Sequence, residues 1–309
     1  MKALRIHRFG GPEVAALEDL PVPEPGPGQL LVRMRAASVN PVDYKTRAGR
    51  FPVIGAADLP LTLGRDLSGT VMSVGAQVDG FREGQEVYAM VGTDRGALAE
   101  YVLVAAEEAA PKPVSLNHAQ AAAVPLAALT AWQGLFDLGG LRQGQQVLIH
   151  GGAGGVGHFA VQFARDAGAR VLATVSAADM DFVRKIGADI AIDYRKERFE
   201  DVAHDMDLVF DLVAGEVQDR SWHVLRRGGR LVSTLGLPPE EKADFHGVRA
   251  IGFLATPSGR QLAEIGRLID EGRVQPEVVA RFPLDDAPEA ERRHEQDHVR
   301  GKLVVEQAA

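Results

Sequence analysis

The chain has no cysteine among its 309 residues. That absence removes disulfides, thiolate zinc sites and thiol nucleophiles together. Positive charge is also short, with 34 Lys and Arg against 42 Asp and Glu, a net −8. A nucleic-acid backbone or an anionic membrane needs a basic face, so neither is expected as the main partner. Long apolar runs are missing too. The longest weakly polar stretch, AQAAAVPLAALTAW, is too short to span a bilayer and contains Pro125. The opening MKALRIHRFGGPE lacks the apolar segment of a secretory signal, which makes a cytoplasmic protein the expectation.

What is present is ordinary for a soluble enzyme: 46% hydrophobic and 25% charged residues, and length enough for two domains. One motif points toward metal. His294-Glu295-Gln296-Asp297-His298 fits H-E-x-x-H, the zinc-protease helix, and Gly301 fits its longer form. The third ligand of that form would fall on Val304, which cannot bind zinc. Arg292, Arg293, Glu295, Gln296, Asp297 and Arg300 leave the helix almost no apolar face. A solvated helix before a last strand LVVE is the expectation, with no metal.

Residues 1–118 read as short strands between turns, with LSGTVMSVGAQVDGFREGQEVYAMV repeating apolar runs bounded by Gly and Asp. Near Ser115 the rhythm changes. AQAAAVPLAALTAWQGLFDLGGL is helical with a break at Pro125. Strands QVLIH, RVLATVS, IAIDY, LVFDLV, GRLVSTL and AIGFLA then alternate with helical stretches, which predicts a parallel, doubly wound α/β sheet over 119–276. Residues 277–309 resemble the first region and are expected to complete it.

Between QVLIH and an amphipathic helix stands Gly152-Ala153-Gly154-Gly155-Val156-Gly157, a G-x-G-x-x-G turn in the strand–turn–helix context that dinucleotide binding requires. The glycines allow a tight turn, close approach of backbone N–H groups to a pyrophosphate, and helix–strand packing. NAD enzymes usually place an acid at the end of the second strand; here Ser176 stands there, which favours NADPH, with Asp179 one turn away leaving NADH open.

Taken in order, SVNPVDYKTRAG, LGRDLSGTVMSVG, FREGQEVYAM, LTAWQGL, HGGAGGVG, GGRLVSTLG and HVRGKLVVE resemble the medium-chain dehydrogenase/reductase superfamily, in its zinc-independent quinone oxidoreductase (zeta-crystallin-like) and enone reductase branch. The resemblance implies a Rossmann domain and a β-rich GroES-like catalytic domain. Where zinc members carry Gly-His-Glu, this chain has Gly64-Arg65-Asp66. It implies NADPH-dependent hydride transfer to quinones or α,β-unsaturated carbonyls, with a 2-enoyl thioester reductase or a non-catalytic, crystallin-like NADPH-binding protein as alternatives, and a homodimer. By the same likeness Asn40 lies near the nicotinamide and Asp43 and Arg47 are recurring polar positions. Lys45 stands where many relatives have tyrosine, and is a candidate donor to a developing enolate. Thr130, Tyr194, Val213, Leu235, Gly236, Phe253, Leu254, Ala255 and Lys302 match cofactor positions.

Overall fold

The computed structural model describes residues 1–236 and 238–307. Sixteen strands are found among them: β1 Lys2–Ile6, β2 Ala16–Asp19, β3 Gln29–Val39, β4 Leu61–Thr62, β5 Asp66–Val74, β6 Glu86–Met90, β7 Tyr101–Ala105, β8 Ala109–Pro111, β9 Gln146–His150, β10 Arg170–Val175, β11 Ile190–Asp193, β12 Met206–Asp211, β13 Leu225–Ser233, β14 Arg249–Gly252, β15 Val278–Pro283 and β16 Lys302–Glu306. The helices are α1 Pro41–Arg47, α2 His118–Ala122, α3 Pro125–Trp132, α4 Gly157–Asp166, α5 Met180–Ile186, α6 Glu216–Ser221, α7 Glu240–His246, α8 Gly259–Asp270 and α9 Ala287–Gln296. Internal contacts divide the chain into two compact units. One comprises Met1–Leu126, Thr256–Gly272 and Pro276–Ala309; the other Ala127–Ala255 and Arg273–Gln275.

The first unit is β-rich. Its large sheet runs β15-β16-β3-β5-β6-β8, with β7 also paired to β3, and a small sheet runs β2-β1-β4. Strand β3 is the spine because it alternates inward residues such as Leu30, Val32 and Met34, all fully buried. The C-terminal β16 pairs antiparallel with β3, Leu303 opposite Val39, so the chain's end is sewn into its beginning.

The second unit holds a wholly parallel sheet in the order β11-β10-β9-β12-β13-β14. Its central strands are buried on both sides: Val147, Leu148 and Ile149 of β9 are inaccessible, as are Val209 and Phe210 of β12. Strand order reverses beside β9, which creates the crevice where such sheets bind ligands. The expected Rossmann sheet is therefore present. Pro125 breaks the helical stretch as expected and opens α3 at its first turn, where its missing N–H costs nothing.

Helix α9 corrects one expectation. Its inward face is Ala287, Ala290 and Glu291, all buried, so it is not a solvated helix. Glu291 is fully buried because Arg47 of α1, 1% exposed, pairs with it at 2.9 Å. The helix ends at Gln296 and Asp297 is extended. His298 thus lies past the helix, off the face that carries His294. Glu295 is held by Arg47 and Arg50. Among the described residues no group of three or more His, Asp or Glu is placed to hold a metal ion.

Candidate active site

The glycine turn sits at the carboxyl end of β9, and α4 begins at Gly157 with no side chain capping it. No side chain competes with an anion there, although the His158 N–H is taken by the Gly154 oxygen at 3.0 Å. The three motif glycines meet different surroundings. A Cβ on Gly152 would press on the Ala173 Cβ at 2.8 Å. A Cβ on Gly157 would drive into the Gly151 carbonyl oxygen and the Gly152 Cα, so the third glycine exists for helix–strand contact. A Cβ on Gly154 would meet only the Gly151 oxygen at 3.4 Å. The fold does not need a glycine there; a pyrophosphate approaching the backbone would. His158 braces the turn, its Nδ1 lying 3.0 Å from the Gly154 oxygen. Ala153 is buried within the turn, and Gly155 and Val156 complete it.

At the end of β10, buried Ser176 donates its hydroxyl to Asp179 Oδ2 at 2.7 Å. The next strand edge supplies a cation. β11 lies parallel to β10, and the Tyr194 amide bonds to the Val175 oxygen at 3.1 Å. Tyr194 is exposed, and the guanidinium of Arg195 lies 5.5 Å from its ring centroid. Three exposed apolar side chains follow the ends of the adjacent strands β12, β13 and β14: Val213, Leu235 and Leu254. Gly236 turns with φ 122°, and Phe253 and Ala255 are partly buried beside Leu254. Exposed aliphatics on the carboxyl edge of a parallel sheet are a platform for a flat ring. Thr130 is buried in α3, just before a π-helical segment, Gln133–Leu138.

In the first unit a buried polar ladder underlies α1. Asn40, 1% exposed, precedes the helix, and its backbone N–H donates to Asp43 Oδ2 at 2.7 Å. The Asn40 amide donates to Asp66 Oδ2 at 2.9 Å, and Ser38 donates to the same oxygen at 2.6 Å. Asp66 Oδ1 accepts from the Leu126 N–H at 2.6 Å. Lys302, fully enclosed on β16, donates to Asn40 Oδ1 and to the Val39 oxygen. Burial lowers the Lys302 ammonium while Asp66 and Asp43 pull it back up. Burial, reinforced by Glu291, pushes the Asp43 carboxyl well above the usual carboxylate range. Lys45, half-buried on α1, has its pKa lowered by burial and by Arg50.

Asp43 also lines a pocket of about 260 Å³ counting its open mouth, together with Thr46, Phe51, Ile54, Leu61, Thr62, Leu63, Gly64, Arg65, Thr93 and Arg95. Neither Asn40 nor Lys45 is part of that lining. Of the candidate site residues Asn40, Asp43 and Lys45, the first two are brought together and Lys45 stands apart. Lys302, expected at the cofactor, lies in the ladder under Asn40.

Residues 26–114 match the family described as alcohol dehydrogenase GroES-like domain, and residues 186–305 the family described as zinc-binding dehydrogenase. The 2-methylene-furan-3-one reductase of Solanum lycopersicum is 37% identical over 99% of this chain and 79% of its own length. The chain belongs to the medium-chain dehydrogenase/reductase superfamily. The chloroplastic NADPH-dependent alkenal/one oxidoreductase of Arabidopsis thaliana is likewise 37% identical, over the same shares of each chain. The solved quinone oxidoreductase from Coxiella burnetii superposes with a TM-score of 0.91 at 38% identity, covering 99% of both chains.

Two residues of this superfamily member have no motif that marks them. Arg195 carries no motif signal, because residues 177–180 directly after β10 hold no cation and only strand pairing brings the end of β11 beside it. In sequence Arg65 is legible only as the residue that stands in place of a metal ligand. Gly64 turns with φ 93° and leaves no room for a Cβ against the Leu98 backbone. That turn aims Arg65 at Val91, which its Nε bonds at 2.9 Å.

Proposed function

We propose that the protein is an NADPH-dependent, zinc-independent reductase of quinones and α,β-unsaturated carbonyls. The observation that carries this is the glycine turn: Gly154 is open where the fold has no use for a glycine, at an uncapped helix start on the crevice of a parallel sheet. When bound, NADPH supplies the hydride. Gly152, Ala153, Gly154, Gly155, Val156 and Gly157 would hold its pyrophosphate; Ser176, Tyr194 and Arg195 its adenine ribose. Val213, Leu235, Gly236, Phe253, Leu254 and Ala255 would support the nicotinamide, with Thr130 beside it. Asn40, Asp43 and the ladder through Lys302 fix the start of α1. A cation of the first unit, Lys45 or Arg65, would face the substrate's oxygen, where charge develops. The names of the relatives, an alkenal/one oxidoreductase and a furanone reductase, support the same substrate class. Cytoplasmic location and a homodimer belong to the same proposal.

The test is NADPH oxidation by purified protein against quinones, enals, enones and enoyl thioesters. Turnover of the first three is expected. Tight NADPH binding without turnover of any compound would make the protein a cofactor-binding protein instead. Cofactor choice has its own check. Ser176 is beside the Asp179 carboxylate, so the cation for a 2′-phosphate must come from elsewhere, and Arg195 supplies it. Arg195→Met is expected to weaken NADPH about tenfold, the worth of one charge-assisted hydrogen bond, and to leave NADH unchanged. Equal weakening of both cofactors would place Arg195 outside the 2′-phosphate site.

A further inference from the structure

The pocket of the first unit has one group whose bonding is unfinished. Arg65 is 9% exposed, and its Nε is spent on the Val91 oxygen. Its two terminal nitrogens have no hydrogen-bond or ion-pair partner among the described residues, yet both remain open to the pocket it lines. Burial lowers its pKa, and Asp43 raises it from across the same space. Leaving four N–H donors of a buried guanidinium unused is costly, so such a group points to a ligand. The neighbouring Arg95 is not in that position: it pairs with Asp94 at 2.7 Å and Glu108 at 2.5 Å.

The surroundings select the ligand. Phe51, Ile54 and Leu61 give the pocket apolar walls. Asp43 shares the lining, so an anionic ligand would meet a carboxyl group as well as the guanidinium. A neutral molecule with one strong acceptor oxygen suits both. Most of the pocket's 260 Å³ is its open mouth, and the enclosed part has room for about one water-sized group, so it takes one end of a molecule. Lys45 is a poor rival. It follows Asp43 by two residues, about 200° round α1, so it leaves the helix on the side away from the pocket.

We propose that Arg65 is the residue that binds the carbonyl oxygen of the substrate. This rests on the reductase reading above. Hydride addition at the β-carbon of an enone moves the C=C electron pair through the conjugated system onto the carbonyl oxygen. Arg65 donates to that oxygen while it carries the charge. A proton from solvent then adds at the α-carbon and the C=O bond re-forms, leaving a saturated ketone and oxidised cofactor. The donor is stronger toward the charged oxygen than toward the neutral carbonyl, so it acts on turnover more than on binding.

The test uses the full-length protein with Arg65→Met, Arg65→Lys and Lys45→Met. Arg65→Met is expected to lower kcat for an enone by about a hundredfold, with NADPH affinity unchanged, since one oxyanion donor is lost. Arg65→Lys, with a cation but no fork, is expected to lose about tenfold, and carries the test alone if Arg65→Met does not fold. The second readout needs no turnover: the infrared carbonyl stretch of bound ¹³C-labelled cyclohexanone. It is expected to fall in the wild type relative to free ketone and to return toward the free value in both Arg65 variants. Wild-type kcat in either folded Arg65 variant, an unaltered stretch, or a loss confined to Lys45→Met overturns the assignment. If the wild type reduces no enone or quinone, the reductase reading has failed; a stretch that still depends on Arg65 then keeps the carbonyl site.

Discussion

Arg47→Met is expected to destabilise the protein by about 3–5 kcal/mol at pH 8, measured by urea unfolding, because it leaves a buried carboxylate without its partner. Arg47 is 1% exposed and Glu291 is inaccessible. Arg47 also holds Glu295 at 2.5 Å, but Glu295 keeps Arg50 at 3.3 Å, so the acid left without a partner is Glu291. The pair itself is imperfect: Arg47 Nε and Glu291 Oε1 are buried with no partner. Replacing both members with Met and Leu should therefore recover most of the loss, since packed apolar residues match or exceed a buried ion pair. A single-variant loss below about 1 kcal/mol would show that water reaches Glu291.

The same pair sets a pH dependence. Burial pushes Glu291 up to about 7 against the pull of Arg47. In the unfolded chain the group titrates near the ordinary glutamate value of 4.5. Between these values the folded state binds more protons than the unfolded one. The contribution is complete below pH 4.5 and is lost as pH rises through about 7. Glu291→Gln should remove that slope, so wild type should lose on the order of 2 kcal/mol against the variant between pH 5 and 8. His294 acts oppositely: burial lowers it to about 4, so its contribution is present above 6.5 and lost as pH falls through 4.

What could be read from the sequence was local. The parallel sheet follows from apolar runs alternating with helical periods, and the glycine turn from six consecutive residues. The ladder could not be read, because Lys302 and Asn40 are 262 residues apart and meet only once β16 has paired with β3. The helix α9 misled for a different reason. Positions 287, 290 and 291 do fall on one helical face, but one of them is glutamate, and hydrophobic periodicity does not count an acid as a core residue. Its partner at Arg47 lies 244 residues away. Arg65 was legible as a residue type but not as a donor: that depends on the Gly64 turn and on Val91 taking one nitrogen and leaving two.

The sharpest separation is expected between two glycines three residues apart. Gly154→Ala should fold as the wild type does, because its Cβ would meet only the Gly151 oxygen at 3.4 Å. It should nevertheless weaken NADPH by about a hundredfold or more, since a methyl group at the turn holds the pyrophosphate away from the N–H groups; a hundredfold corresponds to about 2.7 kcal/mol. Gly157→Ala should lose both properties. Its Cβ would enter the space of the Gly151 carbonyl and the Gly152 Cα, both backbone, so α4 must move off β9. Backbone cannot swing aside as a side chain does, and overpacking of this kind costs about 1–3 kcal/mol. Thermal unfolding and cofactor titration by fluorescence measure the two effects separately. Wild-type Tm with weakened binding at 154, against lowered Tm with weakened binding at 157, assigns the first glycine to the ligand and the second to the fold. Wild-type NADPH affinity in Gly154→Ala would move the pyrophosphate off this turn, and the reductase reading would lose the observation on which it stands.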